Sequence, residues 1–266
     1  MGAGMNERQI SPRILQFSDP ETLAREAARF FAERAGKALE AGSFFRVALS
    51  GGTTPKSMYS VLADAPFRDQ VDWSRVQVFF SDERFVPPDS PESNYRTAYE
   101  NLLSKVPIPE RFVHPVATED VSPEESASLY VEGIRRVFEV GLTEVPRFDL
   151  ILLGLGPDGH TASLFPGSAA LSVTDELVAP NFVEKFDQWR ITFTYPLINA
   201  GRAVAFLAQG KDKAERVQQV MAGDASLPAS GVHPTDGELM WLLDREAASL
   251  IDEGTTSETP SRAPVE

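Results

Sequence analysis

Short, almost unbroken apolar runs alternate along this chain with segments whose apolar residues recur at helical spacing. Phe44–Leu49, Val76–Phe80 and Phe148–Leu153 read as strands buried on both faces, and Arg190–Thr194, Arg202–Ala208 and Leu239–Leu243 as later strands. Asp19-Pro20 opens a helix in which Leu23, Ala27, Phe30, Phe31 and Leu39 keep a helical period up to a stop at Gly42. Further helices are expected over Pro55–Ala63, Asn94–Lys105, Pro123–Val140, Lys213–Met221 and Ala247–Ile251, the third of them with a capping box, Ser122 and Glu125. Apolar strands alternating with helices predict an α/β fold, a mainly parallel sheet with helices on both faces. In such folds ligands bind beyond the carboxyl ends of the strands.

The 266 residues carry a formal net charge of −14 and no cysteine. Disulfides, thiolate metal sites and a cysteine nucleophile are therefore excluded. An acidic surface repels phosphate backbones, so nucleic-acid binding is not expected. An anionic small substrate would need its own cluster of Arg, Lys and backbone N–H groups. No apolar run approaches the roughly 18 residues of a membrane span, and MGAGMNERQI lacks the apolar core of a signal peptide, so a cytoplasmic protein is expected. One domain is expected over residues 12–251, with a flexible N-terminus at 1–11 and a polar, disordered C-terminal tail at 252–266.

Four loops at predicted strand ends carry chemistry. Ser50, Gly51, Gly52 and Thr53 follow a strand and precede a helix, so their amides can approach a phosphate, though the Walker spacing is absent. Asp82-Glu83-Arg84 sets three charges at a strand end, with Arg84 a fork for phosphate or carboxylate oxygens. Gly154-x-Gly156-x-x-Gly159 matches the dinucleotide fingerprint, with Glu176 near the acidic position. Pro157, Asp158 and His160 crowd a turn that should then be small, and nucleotide binding is set aside. His160, with Asp158 two residues before it, is instead a candidate general base. His114 and His233 each precede a proline and read as surface residues. In Gln209-Gly210-Lys211-Asp212-Lys213, Lys211 is a second candidate cation for an anionic group. No two histidines share a ligand spacing, so no metal site is expected. These residues together point to a small phosphorylated substrate and acid–base chemistry. They leave open which of Asp82 and Asp158 supports His160, and whether Arg84 meets phosphate or oxyanion.

The segments LSGGTTPKSMY, FFSDERFVP with SNYRTA, LLGLGPDGHTASLFPGS, QGKDKAERV and LPASGVHPTDGELMWLLDREAA closely resemble the 6-phosphogluconolactonase family, in order from about residue 14 to 251. The resemblance implies a Rossmann-like sheet shared with glucosamine-6-phosphate deaminases. It implies a cofactor-free hydrolase opening 6-phospho-D-glucono-1,5-lactone to 6-phosphogluconate in the oxidative pentose phosphate pathway, as a monomer or homodimer. It also puts the base on His160, the substrate arginine on Arg84 with Asp82 as the nearby acid, and the phosphate lysine on Lys211. The sister deaminases/isomerases continue Asp-Gly-His with Ala-Phe-Asn-Glu-Pro, whose Glu is catalytic; here Phe165 stands at that position. A non-catalytic sugar-phosphate-binding protein is the third reading, since fold alone does not fix function.

Overall fold

The computed structural model describes residues 12–252 and the backbone of 257–258. Its strands are β1 (Arg13–Phe17), β2 (Phe45–Leu49), β3 (Val76–Phe80), β4 (Asp82–Arg84), β5 (Leu150–Gly154), β6 (Val178–Val183), β7 (Gln188–Phe193), β8 (Ala203–Ala208), β9 (Glu238–Asp244) and β10 (Ser257–Glu258). The helices are α1 (Pro20–Glu40), α2 (Thr53–Leu62), α3 (Phe67–Gln70), α4 (Asn94–Ala98), α5 (Pro123–Phe138), α6 (Tyr195–Asn199) and α7 (Ala214–Met221). Asp19 caps α1 by accepting from Thr22 N at 2.8 Å, and the Ser122 hydroxyl caps α5 by accepting from Glu125 N at 3.1 Å.

Seven strands form a wholly parallel sheet in the order β10-β1-β9-β8-β5-β2-β3. Successive side chains of a strand point to opposite faces, and here both faces are apolar. Leu150 and Leu152 of β5, Ala205 and Leu207 of β8, and Met240 and Leu242 of β9 pack with α1 and α2 in one core. Their neighbours Ile151, Leu153, Val204, Phe206, Trp241 and Leu243 pack with α5 and α7 in the other. Trp241 stacks on Phe206 at 4.0 Å within that second core. Burying one side chain of this size is worth about 1.5–3 kcal/mol, so both cores hold helices against the sheet.

The chain leaves β2 toward one edge, to β3, and leaves β5 toward the other, to β8 and β9. The loops after β2 and β5 therefore part at a topological switch point, where a cleft opens. Two buried tyrosines fix the strand ends there. The Tyr59 hydroxyl takes Ser50 N at 3.0 Å and donates to Ser50 O at 2.6 Å, while the Tyr130 hydroxyl does the same for Phe80 N and O at 2.7 and 3.2 Å. Each closes a backbone pair that the ladder no longer serves.

Several expectations need correction. Arg190–Thr194 is not in the main sheet; β7 is the centre of an antiparallel three-stranded sheet, β4-β7-β6, placed over the carboxyl ends. Its edge strand β6 is unreadable from pattern because Pro180 and Asn181 interrupt it, and an edge is where a strand proline is tolerated. Ala247–Ile251 forms turns rather than a helix; Asp244 Oδ1 accepts from Ala247 N at 2.8 Å where they begin. His114 is half-buried: it stacks on Phe79 at 4.4 Å, its Nε2 is 2.6 Å from Gln77 Oε1, and burial pushes its pKa down to about 4. Within the tail expected to be disordered, Ser257–Glu258 pairs in parallel with Leu15 and Gln16 of β1. The expected flexible N-terminus, 1–11, lies outside the described residues. Among the described residues no helix is long and apolar enough to cross a membrane.

Candidate active site

The cleft at the switch point is a cavity of about 470 Å³. The loop after β2 supplies one wall. Gly51 has no room for a side chain there: a Cβ would sit 1.9 Å from Asn94 Oδ1. Gly52 caps α2 at φ +105°, a conformation costly for any other residue, and turns the free N–H groups of the first helical turn to the cavity edge. Ser50, Gly51, Gly52 and Thr53 all line the cavity.

Asp82 and Arg84, also at the wall, come from β4, and their neighbour Glu83 points away and is buried. Glu83 accepts from Asn94 N at 2.7 Å, Tyr95 N at 2.8 Å and Arg84 N at 2.9 Å, so this carboxylate caps α4 and ties it to β4. Burial pushes the Glu83 pKa up, and those three N–H bonds only partly restore it. The result is a fixed Asn94 side chain, which donates to Asp82 O at 2.9 Å and Asp82 Oδ1 at 3.2 Å. The Ser163 hydroxyl donates to Asp82 Oδ2 at 2.6 Å. Asp82 is thus held as an oriented carboxylate by two neutral donors. Asn94 lines the cavity and was not among the sequence candidates; nothing local marks an asparagine that acts through a strand twelve residues earlier.

The turn after β5 is built around His160. Its Nδ1 lies 2.5 Å from Asp158 Oδ1, which assigns the ring proton to Nδ1 and leaves the Nε2 lone pair free. Asp158, not Asp82, is therefore the carboxylate that orients the ring. Phe165 stacks on the imidazole at 4.0 Å. Two of the three glycines of the apparent fingerprint serve this arrangement. Gly156 lies under the imidazole, and Gly159 makes the turn at φ +78°, while a Cβ at Gly154 would meet only ordinary contacts. Burial pushes His160 below the ordinary histidine value of 6.5, against the opposing pull of the Asp158 hydrogen bond. Burial pushes Asp158 upward, but the hydrogen bond and charge of His160 outweigh it and hold the carboxyl below its usual range. Both directions give one state at neutral pH, a free-base imidazole on a carboxylate. An NMR titration of the His160 ring, assigned by its loss in His160→Ala, is expected to show a midpoint below 6.5; a midpoint above 6.5 would contradict this. If His160 is the general base, its neutral form is the active one, so activity should persist at neutral pH and fall only on acidification through that lowered value.

Of the two lysines that follow β8, Lys213 rather than the candidate Lys211 lines the cavity, where its Nζ pairs with Asp212 at 3.3 Å. Lys211 is exposed and does not line the cavity, whereas Lys213 does and is mostly covered. Gly210, at φ +90°, starts a single 3₁₀ turn, Lys211–Lys213, in which successive residues are a third of a turn apart. That geometry sends Lys211 outward and brings Lys213 back. Asp244, only 1% exposed, holds the turn by accepting from Gly210 N with both oxygens at 3.0 Å. Lys213→Ala is expected to raise KM for a phosphorylated substrate about 10-fold, the scale of one charge-assisted bond, while Lys211→Ala leaves it unchanged. Steady-state kinetics on the two variants checks this, and the opposite order would return the role to Lys211. Among the described residues no group of three or more His, Asp or Glu could hold a metal ion.

The sequence profile of the glucosamine-6-phosphate isomerases/6-phosphogluconolactonase family matches residues 18–241. The chain belongs to this family. Within it, a 6-phosphogluconolactonase of Synechocystis is 41% identical over 245 residues, covering 91% of this chain and 99% of the relative. A chloroplastic 6-phosphogluconolactonase of Arabidopsis thaliana is 37% identical, covering 92% and 77%. The solved 6-phosphogluconolactonase of Trypanosoma brucei superposes with a TM-score of 0.79 at 32% identity, covering 91% of this chain and all of the other. A monomeric glucosamine-6-phosphate deaminase, with a TM-score of 0.77 at 20% identity over 90% of this chain and 99% of its own, shares the fold. In this chain the ring packed on the histidine is Phe165.

Proposed function

We propose that the chain hydrolyses 6-phospho-D-glucono-1,5-lactone to 6-phospho-D-gluconate, the lactone-opening step of the oxidative pentose phosphate pathway. The observation that carries this reading is the Asp158–His160 pair at the cavity wall with an apolar ring, Phe165, on the imidazole. A base is present, and the position at which the resemblance to the deaminases implies a catalytic glutamate is taken by Phe165.

In the proposed mechanism the phosphate sits against the amides of Gly52, Thr53 and Thr54 at the start of α2, with Lys213 as its cation. His160 Nε2 takes a proton from a water, and the hydroxide adds to C1. The carbonyl π pair moves onto its oxygen, giving a tetrahedral oxyanion beside Arg84. When that pair returns, the C1–O5 bond breaks. The imidazolium then delivers its proton to O5, which leaves as the C5 hydroxyl, and the new carboxylic acid ionises. Asp158 keeps the ring in the tautomer that this cycle needs, and Asp82 favours the imidazolium formed midway. The proposed setting is cytoplasmic, and the substrate is a free sugar phosphate.

A substrate panel tests the assignment. Acid release followed from the lactone, and ammonia release from glucosamine 6-phosphate, are expected to show turnover with the lactone alone. Ammonia release at a comparable rate would transfer the chain to the deaminase reading, and tight binding without turnover to the non-catalytic one.

A further inference from the structure

β4 and β7 run antiparallel with Arg84 directly opposite Arg190 and Asp82 opposite Thr192. Residues opposite one another in such a ladder share a face, so Arg190 stands on the face that carries Asp82 and Arg84 to the cavity, immediately behind Arg84. It is only 7% exposed. The Nε atoms of both arginines are buried without a partner. Among the described residues neither guanidinium has a carboxylate in ion-pair range; Arg84 Nη1 donates to Glu92 O, a neutral carbonyl. Arginines elsewhere in the fold do find acids, as Arg34 finds Glu238 and Arg147 finds Asp236.

The acids nearby are committed elsewhere. Glu83 is spent on the start of α4, Asp82 on Ser163 and Asn94, and Glu92 Oε2 on Gln188 Nε2 at 2.9 Å. Burial, and after it the charge of Arg84, push Arg190 below its ordinary value. Two adjacent guanidiniums, one almost wholly buried, are costly unless an anion completes them. The Phe186 ring, 5.4 Å from the Arg190 guanidinium, also packs on Phe165, the ring stacked on His160. Arg190 therefore belongs to the histidine end of the cavity, and Lys213 with the α2 amides forms a separate place for the phosphate.

We infer that Arg190 is a positioning residue that combines with Arg84 into a two-guanidinium subsite for the C1 oxygens, the developing oxyanion and then the product carboxylate. This deepens the lactone reading and rests on it for the identity of that anion. Arg84 makes the contact, and Arg190 holds it in place and adds its charge through the buried, low-dielectric wall.

Calorimetric binding of 6-phosphogluconate, which has phosphate and carboxylate, and of glucose 6-phosphate, which has phosphate alone, tests the inference on Arg190→Met and Arg190→Lys. Arg190→Met is expected to weaken 6-phosphogluconate about 10-fold and glucose 6-phosphate less than about 3-fold, the difference expected when one buried charge facing a single anionic group is lost. In turnover it should lower kcat with KM for the lactone little changed. Equal weakening of both ligands would make Arg190 part of the phosphate site, and no weakening of either would make it structural; each overturns the inference. Thermal unfolding establishes that the variants fold. Where Arg190→Met does not, folded Arg190→Lys must retain the wild-type preference between the two ligands, and loss of that preference overturns the inference. Binding is read without turnover, so a wild-type protein that fails to open the lactone would refute the reaction and leave this subsite separately decided.

Discussion

His160→Ala is expected to lower kcat for lactone opening by about 10²–10⁴-fold, the usual worth of a positioned general base. KM should change little, because the proposed phosphate site, at the start of α2 and Lys213, lies apart from the imidazole. The geometry explains why this one residue carries so much. Asp158 fixes the Nδ1 proton, Phe165 covers one face of the ring, and among the described residues the Nε2 lone pair has no hydrogen-bond partner. No second histidine is available: His114 is stacked on Phe79, pushed down to about 4, and tied to Gln77, and His233 lies in an exposed loop. Single-turnover rates on the purified variant check the prediction, and a wild-type rate would remove His160 from the chemistry.

Gly156→Ala should be nearly as damaging, with the base itself still present. A Cβ at this position would lie 2.0 Å from His160 Nδ1 and 2.1 Å from Cε1. The imidazole cannot yield easily, since Asp158 holds its Nδ1 and Phe165 holds its face. Gly156 is not among the glycines with positive φ, so the alanine backbone fits and the collision falls on the ring alone. Displacing a catalytic group by about 1 Å costs on the order of 10²-fold in rate, and that loss in kcat is expected here with the fold retained. Kinetics together with the His160 ring resonance checks it. A variant within a factor of two of wild type, with the ring resonance unmoved, would show that the imidazole has another place to work from.

The parts of this protein that were legible in sequence are those governed by local rules. β5 is apolar on both faces because both faces are buried, and β2 and β3 are each broken by a single polar residue, Arg46 and Gln77, which leaves runs that can be read. His160 and Asp82 stand out because charged groups just past buried strands need a reason to be there. What was not legible depends on contacts distant in the chain. β1 is only five residues long, with polar Arg13 and Gln16, and is a strand by virtue of β9 beside it. The small antiparallel sheet is assembled from segments about a hundred residues apart, so Arg190 reads as an ordinary strand residue until its register with Arg84 is known. Asn94 matters through the carboxylates of β4. That Lys213 and not Lys211 lines the cavity turns on one 3₁₀ turn that Gly210 starts and Asp244 ties down. Whether Asp82 or Asp158 supports the histidine was a question of distance, and the Asp158 bond at 2.5 Å answers it.

The central claim is that a water activated by His160 opens a phosphorylated lactone. The most direct test generates the lactone in situ with glucose-6-phosphate dehydrogenase and follows its opening through 6-phosphogluconate dehydrogenase, with wild-type protein, with His160→Ala, and with neither. Opening faster than the spontaneous reaction with wild type, and close to it with His160→Ala, is the result predicted here. Opening at the spontaneous rate with wild-type protein, with the lactone shown to be present, would contradict the reaction. Equal acceleration by both proteins would contradict the base.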